Sequence, residues 1–312
     1  MSCDSLVKWA LIAFLALTSA LIISANGLVF PATDFTRPLV ICGVLMLVGG
    51  FYCRRRVEEF AISAHALAQI VAFSACYTVT MYCVASLGTP LADDWLANVD
   101  AVCGLCIADI TAWANGVPKI SRLLKIAYDS MLIQTALVIM VLGLTKDRRK
   151  LESFVLCFMV SAIVALFLFA CVPAEGPFCT YGYEPGPAQQ RFLTDFHAMR
   201  SGERVLVTWQ QAEGLITFPS FHTTWALILA WALRGSRYLF VPASLLNLAV
   251  VISTMTTGWH YFADVLGGTL LAAGSVLVAS RLSSWLYESD GTPRRVRLPG
   301  SVWQPVPVYR PT

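Results

Sequence analysis

Apolar residues fill long stretches of this chain with few polar interruptions, and the stretches recur from end to end. Runs approaching the roughly 20 residues that cross a hydrocarbon core of about 30 Å predict eight spans, near 6–26, 38–53, 60–87, 122–144, 151–172, 221–234, 237–257 and 261–286. The second and sixth are the shortest. Two segments between spans are long. Residues 88–121 contain "DDWLANVDAVCGLCIADITAWANGVPKISRLLK", where apolar and polar positions mix at near-helical spacing. That pattern predicts an amphipathic helix lying at the interface or partly re-entering it. Residues 173–220 hold five prolines and read as a loop through "PAEGPFCTYGYEPGP", before "TDFHAMRSGERVLV" recovers some order.

Composition turns this pattern into a class. The chain is 57% hydrophobic and 13% charged, against about 45–50% and 25% in soluble domains. The expectation is an all-α, polytopic membrane bundle of about eight helices. It divides into N-terminal spans over 1–88, a membrane domain over 89–286, and a tail over 287–312 whose "TPRRVRLPGSVWQPVPVYRPT" predicts disorder.

The net charge of +3 says less than its distribution. With the N-terminus inside, fifteen Lys and Arg, including the "YCRRR" and "KDRRK" clusters, fall on inner segments and seven on outer ones. Both chain ends are then cytoplasmic, and a bacterial inner membrane or its equivalent is the expected location. The first run also fits a cleaved signal sequence; an uncleaved anchor is preferred, since cleavage would remove a span without reversing any later loop.

Ten cysteines do not make a disulfide framework, because most fall within predicted spans as small buried apolar groups. Cys171 and Cys179 share the outer side, so a disulfide between them stays open. Cys103 and Cys106 form a C-x-x-C without a second ligand pair, and with four scattered histidines no metal site is expected. Nothing points to a cofactor or to nucleic acid.

His222 heads the sixth span within "FPSFHTTW", and His260 heads the eighth within "TTGWHYFADVLGG". Both fall on the outer face in a topology set by Lys and Arg alone. His260 and Asp264 are four apart, so on a helix they share a face. A carboxylate there can accept the Nδ1–H, fix the tautomer and leave Nε2 as a nucleophile. Pro219 and Ser220 suit a helix start, where free N–H groups and the positive dipole end favour an anion such as phosphate. A lone histidine at a helix end is ordinarily an interfacial hydrogen-bonding residue; two on one face, with the carboxylate and flanking glycines, point to chemistry. His65 reads as a packed residue and His197 as a loop residue on the same side.

These residues resemble the type 2 phosphatidic acid phosphatase superfamily, whose second and third motifs read P-S-x-H and S-R-x5-H-x3-D. "PSFH" (219–222) is similar to the second, and "STMTTGWHYFAD" (253–264) to the third. The resemblance implies a six-helix core with extra N-terminal spans. It also implies that His260 attacks phosphorus to form a phosphohistidine, that Asp264 orients it, and that His222 moves a proton to and from the leaving and attacking oxygens. Thr254 occupies the place of that motif's arginine, and no K-x6-R-P first motif is found. Positive charge for the phosphate must then come from Lys119, Arg122, Lys125, Arg191, Arg200 or Arg204, of which Arg200 and Lys119 are favoured beside Ser220.

Loss of those motifs with retention of His, His and Asp resembles the branch of inositol phosphorylceramide and sphingomyelin synthases. There a lipid hydroxyl resolves the intermediate; with water the same site is a phosphatase. The expected partners are a lipid phosphate and a lipid hydroxyl acceptor. Two other classes stay open: an outer-facing transporter or channel, and a non-catalytic relative.

Overall fold

The computed structural model describes residues 3–23, 28–203, 205–207, 213–289, 295–296 and 304–305. Thirteen helices are described: α1 (Cys3–Ile23), α2 (Thr36–Arg54), α3 (Glu58–Ala85), α4 (Asp93–Val102), α5 (Ile107–Gly116), α6 (Pro118–Asp129), α7 (Met131–Leu144), α8 (Arg148–Cys171), α9 (Pro177–Tyr181), α10 (Pro187–Arg200), α11 (Phe221–Ala232), α12 (Arg237–Thr256) and α13 (Phe262–Ser289). Most of the predicted tail lies outside the described residues, apart from an antiparallel pairing of Arg295–Val296 with Gln304–Pro305.

Six helical segments are long and apolar enough to cross a membrane, and two bent pairs, α4 with α5 and α6 with α7, raise the number to eight. The predicted all-α bundle stands, with two adjustments. The segment after α3, expected as one amphipathic helix, is a pair of short helices bent by 77°, and the fourth span is broken by 48° at Ser130. The sixth span is only the 12-residue α11. At 1.5 Å per residue it rises about 18 Å, so it does not cross a 30 Å core alone.

Polar contacts show which helix ends lie together. Lys8 pairs with Glu152, Lys146 Nζ lies 3.2 Å from Glu59, and Ser153 and Ser283 share a hydrogen bond of 2.8 Å. A Cβ at Gly235, in the α11–α12 turn, would lie 2.7 Å from Lys150 Nζ. The starts of α1, α3, α8 and α12 and the ends of α2, α7, α11 and α13 therefore meet at one arginine-rich end. The long helices and α11 thus run alternately toward and away from that end.

α11 stands in the middle of the bundle. Phe221 and Trp225 on it join Phe73 and Tyr77 of α3 and Phe158 of α8 in one aromatic cluster, with ring centroids 5.4–6.2 Å apart. Each such pair contributes about 0.5–1.5 kcal/mol beyond its buried area. Trp225 Nε1 donates to Thr135 Oγ1 of α7 at 3.0 Å, which fixes the rotation of α11 about its axis.

Much of 173–220 is helical rather than loop. In α10, Pro187 takes the first helical position and the Gln189 side chain accepts the Gly186 N–H at 2.8 Å. Prolines that read as turn signals are here helix starts. α10 extends from Gln189, which donates to the Gly258 carbonyl, to Arg200, which donates to the Thr89 carbonyl. His197 accordingly lies on a helix, its Nε2 2.6 Å from Glu175 Oε1. His65 is packed as expected: its Nδ1 bonds the Ala61 carbonyl, and its ring fills the space beside Gly49. Cys171 and Cys179 are separate thiols, as are Cys103 and Cys106.

Candidate active site

At the end opposite the arginine clusters, the chain arrives at α11 through Leu215–Ser220 and at α13 through Gly258–Tyr261. Ser220 caps α11, its Oγ accepting the Thr223 N–H at 3.3 Å. Its own N–H donates to the Asp264 carbonyl at 3.0 Å, tying the start of α11 to the first turn of α13. That approach requires small residues on α13. A Cβ at Gly268 would stand 2.4 Å from the Ser220 carbonyl oxygen, and one at Gly267 would stand 2.7 Å from the Phe218 ring.

The result places His222 and His260 with ring centroids 6.1 Å apart. His260 is 3% exposed and Asp264 is fully buried. His260 Nδ1 lies 3.0 Å from the Thr217 carbonyl and 3.3 Å from Asp264 Oδ2. A carbonyl only accepts, so Nδ1 carries the proton and Nε2 keeps its lone pair. The carboxylate was the expected orienting group; the nearer acceptor is Thr217. Asp264 Oδ2 also accepts the Tyr261 N–H at 2.8 Å, holding the backbone beside the imidazole. Burial pushes His260 down from its ordinary value to about 4, the Thr217 hydrogen bond pulling weakly upward.

His222 has a partner that sequence reasoning missed. Tyr128, at the end of α6, stacks on its ring with centroids 4.3 Å apart and planes 23° apart, and the Tyr128 hydroxyl lies 3.2 Å from His222 Nδ1. Two more missed residues come from α4. Asp100 is fully buried and accepts the N–H groups of Phe262 and Ala263, at 2.9 and 2.8 Å, capping α13 from another helix. Asp93 accepts from Glu175 N, Gly176 N and the Tyr261 hydroxyl. The start of α13 is thus held by Asp100, whereas the Phe221 and His222 N–H groups of α11 have no protein acceptor among the described residues.

Of the expected phosphate-binding residues, Ser220 adjoins His222. Arg200 is turned toward Thr89, with its guanidinium 5.2 Å from the Phe196 ring. Lys119 is exposed on α6, nine residues and about 13 Å of helix rise from Tyr128. Neither contacts the histidine pair among the described residues. Thr254 is buried, its hydroxyl donating to the Val251 carbonyl and its own carbonyl accepting the His260 N–H. Among the described residues no group of three or more His, Cys, Asp and Glu is placed to hold a metal ion.

An all-α bundle with six to eight candidate membrane spans thus brings two histidines and a buried aspartate together at one end. Residues 94–278, more than half of the chain, match the family model described as the PAP2 superfamily, and the chain belongs to that superfamily. Its members are generally phosphatases or phosphotransferases. No curated protein and no solved structure matches the chain.

Proposed function

We propose that the protein is a lipid phosphatase or lipid headgroup phosphotransferase acting at the outer face of the membrane through a phosphohistidine on His260. The observation that carries this reading is the fixed tautomer of His260, which leaves Nε2 unprotonated beside His222. Nε2 attacks phosphorus, the bond from phosphorus to the leaving alcohol oxygen breaks, and that oxygen takes a proton from His222. An incoming hydroxyl then gives its proton to His222 while its oxygen attacks phosphorus and the P–N bond breaks. Acid–base transfers of this kind contribute about 10²–10⁴ in rate.

The phosphate oxygens rest on the α11 start in this reading, against the Phe221 and His222 N–H groups and the Ser220 hydroxyl. Arg200 and Lys119 remain candidates for charge at the mouth rather than at the reacting phosphorus. A lipid hydroxyl as acceptor makes the protein a transferase of the inositol phosphorylceramide synthase type; water makes it a phosphatase. No step in this sequence requires a metal. The test is an assay of purified protein with headgroup-labelled phospholipids and isoprenoid phosphates, with and without diacylglycerol or ceramide. Label on the acceptor marks the transferase and free phosphate the phosphatase; neither product from any of these lipids contradicts the reading.

Two predictions arise here. Since His260 acts neutral and burial holds it near 4, the acid limb of kcat/KM comes only as pH passes through about 4, while the alkaline limb reports the proton that His222 must carry. An acid limb near the ordinary histidine value of about 6.5 would remove the nucleophile from the buried setting. Tyr128 is a positioning residue for His222. Tyr128→Phe keeps the stack and loses the hydroxyl, an orienting bond of about 0.5–1.5 kcal/mol. A three- to tenfold fall in kcat is expected, with KM unchanged and the alkaline limb displaced. An unchanged profile would show that the hydroxyl does not act on His222.

A further inference from the structure

α6 presents three faces. Ser121, Leu124 and Ala127 turn toward the protein; Leu124 and Ala127 are buried. Ile120, Leu123 and Ile126 form a second stripe, exposed at 39%, 67% and 59%. Lys119, Arg122 and Lys125 form a third, also exposed. Large apolar side chains exposed beside cations are unfavourable in water and favoured where acyl chains meet headgroups. The depth agrees. Lys125 lies nineteen residues before Leu144, at the arginine-rich end; about 20 Å of rise along α7, and about 6 Å more along α6 after the 48° bend, bring it within a few ångström of the far boundary of a core of about 30 Å. Lys119 and Arg122 then stand at headgroup level. Lys125 is paired with Asp129 at 3.1 Å, while Lys119 and Arg122 have no carboxylate partner among the described residues.

We propose that α6 is a docking helix for anionic glycerophospholipids of the leaflet on the histidine side, with Lys119 and Arg122 holding the lipid phosphate and Ile120, Leu123 and Ile126 lying against its acyl chains. Charge complementarity selects the occupant: a zwitterionic lipid offers the same chains and no net charge, and a soluble anion offers no chains. The apolar stripe would have no partner in an acidic soluble protein. Because Tyr128 ends the same helix on His222, the docked lipid lies beside the mouth of the candidate site, about 9–13 Å of helix rise away. The surface does not depend on turnover, so its test does not either.

The test uses the full chain carrying His260→Ala, delipidated in detergent and offered equimolar phosphatidylglycerol and phosphatidylcholine, with retained lipid counted by native mass spectrometry. Phosphatidylglycerol should be retained at least about fivefold over phosphatidylcholine, with the preference reduced by salt. Lys119→Gln with Arg122→Gln should lower the ratio, leaving only the share owed to the arginine-rich end, while Lys119→Arg with Arg122→Lys keeps it. Equal retention of the two lipids, or a preference unchanged in the glutamine pair, overturns the proposal. So does loss of preference in the charge-conserving pair, which would report on folding rather than charge.

Discussion

His260→Ala is expected to lower turnover by about 10⁴-fold or more, the scale on which loss of a covalent nucleophile acts, while the protein still folds into the bundle. The imidazole is bonded to Thr217 and Asp264 but is not part of the aromatic cluster that seats α11. Removing it leaves Asp264 with its bond from Tyr261 N. Yield in detergent, elution volume and thermal midpoint should therefore stay near wild type. Residual activity within tenfold of wild type would assign the chemistry elsewhere.

The second large effect lies away from any reacting atom. Gly268→Ala puts a methyl group 2.4 Å from the Ser220 carbonyl oxygen and 3.1 Å from Thr223 Cβ, and the nearest obstacle is backbone, which cannot rotate aside. Either α13 moves away from α11 or the start of α11 moves, and His222 moves with it. Overpacking costs about 1–3 kcal/mol, and a displacement of about 1 Å at a reacting group costs about 10² in rate. The expected outcome is a fall in kcat near 10²-fold with a lowered thermal midpoint. Gly274 is the control: it lies on the same helix with nothing within 4 Å of its Cβ position, so Gly274→Ala should leave activity intact and stabilise slightly. Equal behaviour of the two variants would show that the α11–α13 contact does not hold the site.

Placement of His222 and His260 on one face was legible because both sit at helix ends and spans alternate; that the two rings meet there was implied only by the resemblance of their motifs. The partners of each ring were not legible. Thr217 acts through its backbone carbonyl, to which any residue type contributes equally. Tyr128 lies 94 residues from His222, and an aromatic in an apolar run reads as core. Asp93 and Asp100 left a signal that went unused. Seven residues apart on a helix they share a face, but the amphipathic reading assigns polar positions to water, whereas these two turn inward onto the start of α13. Asp100 does for α13 what Ser220 does for α11, from a different helix, and no local capping pattern announces it. α11 was marked by sequence as one of the two shortest spans, 221–234, and the helix is shorter still at 12 residues, so it carries the site part of the way into the bundle.

The most direct test of the central claim is rapid quenching of purified protein with lipid labelled at the reacting phosphate, followed by isolation of the labelled peptide. A phosphohistidine is expected: label that is stable to alkali, lost in acid, located on the peptide holding His260, and absent from His260→Ala. Label on another residue, or turnover with no labelled protein at any quench time, would contradict the account.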